Sequence, residues 1–294
     1  MMNRPVEPNK EDCCNSGCNP CIFDVYEKQL LLFKKYQEGD NISESLLVNA
    51  ISQLNYTQFK LVDNTELCEA HKRLSFKLSS PENNFKVVWK PGDHFLFKYT
   101  EEENPSCTRA FTPLKEKNNT EIDFFIIVKR YDKGVVSNYL YNLKPGQETL
   151  WRGPYGAYEI IQNKFNRIFM IAQGTGITPF MSIIENIIEN EDDMTKLILL
   201  YCCHNVNSIP LRNELYSMKC YWNFSYTIFL GESNYNEIYK YQEPIINHKL
   251  RPDDFLQFVP FSENDQFLLC GSTNFMDYYK LWLKTQEVNN VFIF

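Results

Sequence analysis

The chain has 294 residues, 44% hydrophobic and 23% charged, with a formal net charge of −7. That length favours about two domains with ordinary cores, and the composition is globular, not disordered. An acidic chain without a long basic run is a poor partner for nucleic acid, and no stretch approaches the roughly 20 apolar residues that cross a bilayer, so neither a nucleic-acid partner nor an integral membrane segment is expected.

In chain order, Met1–Pro5 lack an apolar signal core, and Met2 stands where myristoylation needs glycine. The expected location is the cytoplasm, with mitochondria left open. The ten cysteines then read as thiols or metal ligands, not as a disulfide framework. Four of them, Cys13, Cys14, Cys18 and Cys21, cluster in a first region of residues 1–45. Four thiolates this close can hold zinc or an iron–sulfur centre. Adjacent Cys13 and Cys14 crowd one tetrahedral site, so redox thiols and a metal-free docking segment stand as alternatives. A helix should follow, capped by Asp24 with Glu27 three residues on, and continue through Leu30, Leu31, Phe33 and Lys34 to about Gln37.

Residues 50–158 read as short strands: Tyr56–Val62, Arg73–Leu78, His94–Tyr99 and Ile122–Arg130. Turn signals such as Ser80-Pro81, Pro91-Gly92 and Pro145-Gly146 separate them. This spacing predicts an antiparallel sandwich or small barrel. Residues 159–294 alternate differently. Apolar runs at Arg167–Ala172, Leu197–Cys202, Phe224–Leu230 and Phe267–Cys270 are interleaved with helical segments, which predicts a parallel sheet with crossovers.

The strongest local signal is Ile168–Ala172 running into Gln173-Gly174-Thr175-Gly176-Ile177-Thr178-Pro179. Glycine permits a tight turn and close approach of a ligand's phosphates. Thr178 reads as the N-cap and Pro179 as the first residue of a helix repeating Ile183, Ile184, Ile187 and Ile188, whose N-terminus suits a pyrophosphate. A strand–turn–helix whose glycines serve packing alone is the competing reading. The loop is neither GxGxxG nor a Walker loop, which argues against ATP hydrolysis. A second loop, Leu268-Leu269-Cys270-Gly271-Ser272-Thr273, repeats the pattern with a helix from about Asn274. Ligands of open parallel sheets sit at the carboxyl ends of strands, so the two loops should share a crevice with Cys270 at its floor. A small buried hydrophobe is the plainer reading of that cysteine.

Five ordered motifs then carry a resemblance. They are Arg109-Ala110-Phe111-Thr112-Pro113, Gly134-Val135-Val136-Ser137, Gly153-Pro154-Tyr155-Gly156, Gly174–Pro179 and Cys270-Gly271, with Val291–Phe294 as an aromatic C-terminus. Residues 50–294 resemble NADH–cytochrome b5 reductases, within the ferredoxin–NADP reductase superfamily. The cysteine segment and its Asp24–Glu27 continuation resemble the oxidoreductase-like module of the cytochrome b5 reductase-like subgroup. The resemblance implies an antiparallel FAD-binding β-barrel over 50–158 and a nicotinamide-nucleotide-binding α/β domain over 159–294.

It also implies roles. Arg109 would neutralise FAD phosphate, and Ala110 would share that segment. Phe111 would lie against the isoalloxazine, and Thr112 would hydrogen-bond near flavin N5. Val128 and Lys129 would touch the ribityl or phosphate region, and Gly134, Val136 and Ser137 the pyrophosphate. Gly174, Thr175, Gly176, Thr178, Pro179 and Gly271 would bound the nicotinamide pocket, with Cys270 beside the transfer site. Taken singly, Arg109 and Lys129 could be surface charges, Ser137 a turn residue and Phe111 a core aromatic. The chain departs from the family in four places. Ala110-Phe111 replaces Pro-Tyr, Val135 replaces a lysine, Ser272-Thr273 replaces Pro-Pro, and no acid near Leu230-Gly231-Glu232 clearly matches the one that favours NADH. NADH is the family default, and NADPH stays open.

The expected function is therefore an FAD-dependent NAD(P)H reductase. It passes hydride to flavin N5 and electrons to a separate acceptor protein such as cytochrome b5. A diaphorase for quinone or iron–sulfur acceptors and a non-catalytic adaptor with a degenerate reductase body are the alternatives.

Overall fold

The computed structural model describes residues 4–8, 21–38, 49–80, 86–101, 104–232 and 238–294. Three of the four clustered cysteines, Cys13, Cys14 and Cys18, lie outside them. By its contacts the chain forms two compact units, residues 1–65 with 73–157, and residues 66–72 with 158–294. No described helix is long and apolar enough to cross a membrane.

The first unit opens with α1, Ile22–Gln37. Asp24 is not its cap. Cys21 takes that place, and the Asp24 carboxylate accepts the Cys21 N–H at 2.9 Å, so the acid works from the third helical position. Ile22 and Val25 are buried, and Val25 packs with Leu54, Leu96 and Tyr155, holding the helix to the sheet.

The sheet's strands are β1 (Thr57–Cys68), β2 (His71–Leu78), β3 (His94–Glu101), β4 (Asn104–Phe111), β5 (Phe124–Lys129) and, after α2 (Val135–Asn142), β6 (Glu148–Tyr155). Their order is β4-β3-β6-β1-β2-β5. Beyond β4, Leu114 and Phe125 exchange N–H···O bonds of 2.8 and 2.9 Å, which ties the two edges and makes the sheet barrel-like. Alternation sends Phe59, Leu61, Phe76, Phe95, Phe97, Phe124 and Trp151 into one core. Edge-to-face contacts such as Phe59–Phe124 at 5.1 Å pack it. Sequence patterning finds four of these strands, but β4 and β6 emerge only in the fold. They are rich in Thr, Arg, Pro and Gly, and their pairing partners, not their own periodicity, make them strands.

The second unit is a parallel sheet: β7 (Arg167–Gln173), α3 (Thr178–Ile188), β8 (Lys196–Cys203), α4 (Arg212–Met218), β9 (Phe224–Leu230), β10 (Ile245–Ile246), β11 (Asp265–Cys270), α5 (Thr273–Thr285) and β12 (Val291–Ile293). Strand order is β10-β9-β8-β7-β11-β12. From β7 the chain builds outward on one side and then returns to the other, so a topological switch point lies between β7 and β11. At the opposite ends of these two strands, Arg167 grips the buried Asp265 through Nε at 2.8 Å and Nη2 at 2.6 Å, and also donates to the Phe258 and Pro260 carbonyls. The aromatic C-terminus closes this unit's edge, with Phe292 and Phe294 against Tyr158.

Candidate functional site

In the first unit, β4 carries the Arg109–Thr112 segment along β3, with Phe97 opposite Arg109, Leu96 opposite Ala110 and Phe95 opposite Phe111. Phe111 is half-buried. It meets Trp151 edge-on at 5.9 Å and Phe97 at 6.4 Å, and Phe97 stacks on Tyr139 at 6.1 Å. The result is an aromatic floor. The exposed Arg109 donates to the Thr108 carbonyl at 2.8 Å, and no carboxylate pairs with it among the described residues.

The Leu114–Phe125 bridge brings the same edge to β5, which ends in Val128 and Lys129. Val128 faces the core, so its backbone alone is available to a ligand. Lys129 is half-buried, with its ammonium 5.5 Å from the Tyr131 ring centroid. Gly134 then caps α2. The Ser137 hydroxyl donates to the Gly134 carbonyl at 3.0 Å and accepts the Tyr131 N–H at 3.3 Å. Ser137 therefore closes the turn, and the Val136 side chain is buried. What this turn can offer an anion is chiefly the free N–H groups of the helix start. An exposed guanidinium, a flat aromatic floor and a helix N-terminus on one unit suit a tricyclic ring joined to a diphosphate, and the residues fit FAD.

His94 is a residue that sequence reasoning passes over. It precedes Phe95, the pairing partner of Phe111, and so sits beside the Phe111-Thr112 segment. Its Nε2 is buried with no hydrogen-bond partner, and burial pushes its pKa down to about 4. A neutral imidazole is thereby held against Tyr155, with ring centroids 5.8 Å apart. A lone histidine in a strand carries no local signal that could have flagged it.

In the second unit, β7 and β11 are neighbours, with Ala172 opposite Cys270. Their glycine loops therefore leave the sheet side by side at the switch point. Gly174 has φ of +55°, and no atom lies within 4 Å of where a Cβ would stand. This open left-handed turn lets a ligand reach the backbone. The buried Tyr201 donates its hydroxyl to the Gly174 carbonyl at 3.0 Å. Thr178 is not the helix cap. A 3-10 turn over Gly174–Ile177 leads directly into α3, Thr178 is its first residue and Pro179 its second, and the Thr178 hydroxyl donates to the Thr175 carbonyl at 2.9 Å. The glycine turn is itself helical, which moves the start of helical structure upstream of the threonine.

The two loops interlock. A Cβ on Gly176 would lie 2.7 Å from the Cys270 carbonyl carbon, and a Cβ on Gly271 would lie 2.8 Å from the Gln173 Cβ. Each glycine leaves the space that the other loop fills. Burial pushes the Cys270 thiol up to about 12, so it stays protonated and uncharged at physiological pH. Open backbone at Gly174 and a close-packed floor at the switch point fit a nicotinamide dinucleotide. Of the proposed metal ligands, only Cys21 is described. Among the described residues no group of three or more His, Cys, Asp or Glu side chains is placed to hold a metal ion.

Comparison with known proteins identifies both domains. Residues 58–160 match the family described as "Oxidoreductase FAD-binding domain", residues 170–280 "Oxidoreductase NAD-binding domain", and residues 1–40 "Oxidoreductase-like protein, N-terminal". A Homo sapiens protein named "NADH-cytochrome b5 reductase-like" is 30% identical over 286 residues, covering 94% of this chain and 89% of its own. Its Mus musculus namesake is 26% identical over 289 residues, covering 92% and 88%. Among solved structures, the cytochrome b5 reductase domain of Ulva prolifera nitrate reductase aligns with a TM-score of 0.69 at 21% identity, covering 84% of this chain and all of that one. The CS-b5R domains of human Ncb5or in their NAD+ form align at 0.67 and 16% identity, covering 81% and 69%. These two share the fold. The chain belongs to the NADH–cytochrome b5 reductase family, as an oxidoreductase with an FAD-binding and an NAD-binding domain behind an oxidoreductase-like N-terminal segment.

Proposed function

We propose that this protein oxidises NADH, receives the hydride on bound FAD, and passes electrons one at a time to a separate haem protein of the cytochrome b5 type. The observation that carries the reading is the match to a relative named "NADH-cytochrome b5 reductase-like", over 94% of this chain and 89% of that one, in a chain that carries Arg109, Thr112 and two glycine loops. Bound FAD would supply a two-electron acceptor that can release electrons singly.

The protein's own residues have orienting and shielding tasks. Arg109 neutralises phosphate charge through a fixed fork of donors. The α2 start adds backbone N–H groups, and Phe111 gives the ring a flat wall. Thr112 supplies a hydroxyl at the reacting edge. Val128 and Lys129 line the ribityl side, Lys129 with a cation and Val128 with its backbone. The Gly174–Pro179 loop and Cys270-Gly271 form the nicotinamide floor, where an uncharged thiol helps exclude water. Zinc or iron–sulfur ligation by Cys13, Cys14, Cys18 and Cys21 remains a separate proposal, read out by metal content of the purified protein.

The test is spectroscopic. The protein should purify yellow and bleach anaerobically with NADH, and oxidation by cytochrome b5 should be faster than oxidation by a quinone. A colourless protein that takes up no FAD would overturn the assignment. Rapid bleaching with no transfer to cytochrome b5 would redirect the acceptor.

A further inference from the structure

The two glycine loops are joined by a side-chain bridge where they leave the sheet. Gln173, the last residue of β7, extends over Gly271, and its Oε1 accepts both the Ser272 backbone N–H at 3.1 Å and the Ser272 hydroxyl at 2.7 Å. A backbone N–H can only donate, so the amide atom facing it must be the oxygen. The Nε2 amino group is therefore turned the other way. Gln173 is exposed, and among the described residues that group meets no acceptor. The arrangement has a cost at α5. Ser272 occupies the N-cap position, yet its side chain makes no cap bond there, because its hydroxyl is committed to Gln173. A serine at an N-cap ordinarily contributes about 1 kcal/mol by capping, so the bridge displaces a favourable local interaction.

We propose that Gln173 is a positioning residue for hydride transfer. Ser272 fixes its amide, and its free Nε2 donors take the carboxamide oxygen of the nicotinamide ring. This inference rests on the reading of the switch-point crevice as the nicotinamide site. The chemistry is that of amide pairing. A carboxamide oxygen is a strong neutral acceptor, and a donor held by two hydrogen bonds on its far side loses little freedom on binding it. A ring anchored at its carboxamide cannot rotate about its glycosidic bond, which keeps one face of C4 toward the acceptor. Ser272 supplies both bonds, one from its N–H and one from its hydroxyl, so a proline there would leave the Gln173 amide unanchored.

Calorimetric titration of the full-length, FAD-loaded protein separates the possibilities, using NAD+ and ADP-ribose, which lacks the nicotinamide. Gln173→Leu should weaken NAD+ about five- to tenfold, the worth of one well-placed neutral hydrogen bond, and leave ADP-ribose affinity unchanged. Gln173→Glu keeps an acceptor for both Ser272 bonds but removes the donors, so it should lose NAD+ affinity to the same degree. Thermal midpoints within a degree or two of the parent in both variants would set aside a folding defect. Steady-state assays should show the loss in KM for NADH, with a smaller penalty for the reduced thionicotinamide analogue, whose sulfur is a weak acceptor. Parent-like NAD+ affinity in Gln173→Leu, or equal losses for NAD+ and ADP-ribose, would overturn the proposal while leaving the nucleotide site standing. Failure of the parent protein to bind either ligand would remove the site and the proposal together.

Discussion

Substituting Gly176 by alanine tests the interlock on which the nucleotide floor depends. The added methyl would stand 2.7 Å from the Cys270 carbonyl carbon and 3.1 Å from the Gly271 nitrogen. Carbon atoms in good contact lie about 3.5–4.0 Å apart, so the loops must part by about 1 Å. The atoms in the way are backbone, and the strands behind them are locked in register from Asp265–Arg167 to Cys270–Ala172, so no flexible side chain can give way. Overpacking of this kind costs about 1–3 kcal/mol, offset by up to about 1 kcal/mol because alanine favours the helical turn. The expected result is a fall in urea stability of about 1–2 kcal/mol. Because a 1 Å misplacement can cost about a hundredfold in rate, kcat/KM for NADH should fall by about ten- to a hundredfold. Gly174 is the control. A methyl there meets open space but must adopt φ of +55°, so Gly174→Ala should cost about 1–2 kcal/mol from backbone strain alone, and Gly174→Asn should recover part of it. Gly176→Ala with parent urea midpoint and parent NADH kinetics would refute the interlock.

Three further expectations concern single side chains. His94 has a folded pKa near 4 against an ordinary value of about 6.5. Between those pH values the unfolded chain binds more protons, so stability rises with pH across the window by about 3 kcal/mol. In His94→Phe that slope should vanish between pH 4.5 and 7, and a persisting slope would assign it elsewhere. Burial raises the Asp265 carboxyl, but the Arg167 hydrogen bond and the Ser262 N–H outweigh it and hold the group below its usual range. Its stabilisation is present at neutral pH and lost as pH falls through the depressed value. Asp265→Asn should cost about 3–5 kcal/mol by stranding the Arg167 charge, read from urea midpoints. Arg109→Ala should raise the FAD dissociation constant about ten- to a hundredfold, with Arg109→Lys recovering part of the loss. Flavin fluorescence on dilution measures both, and unchanged retention would remove Arg109 from the phosphate site.

Much of the second unit is legible in the residues themselves. An apolar run, a glycine turn and an isoleucine-striped helix are local patterns, because buried parallel strands and helix starts constrain consecutive residues. The barrel-like unit reads less clearly. Strands β1, β2, β3 and β5 show themselves through aromatic and β-branched residues, while β4 is made a strand by pairing with β3 before it, and β6 by pairing with the distant β1 and β3. Likewise Thr178 and Asp24 both lie near helix starts, but which residue caps each helix was settled by how the preceding turn folded.

The sequence by itself determined two sheets of different kinds, two glycine loops at strand ends, and the family, because each is carried by the order of neighbouring residues along the chain. Only the tertiary structure decided that Gly176 nests on Cys270, that Gln173 reaches Ser272, that Cys270 is held as a neutral thiol and that the His94 imidazole lies against Tyr155 with its Nε2 buried. Those facts arise from strands that pair across long stretches of chain. Burial and close approach are properties of the packed partner, and no residue carries them in its own identity.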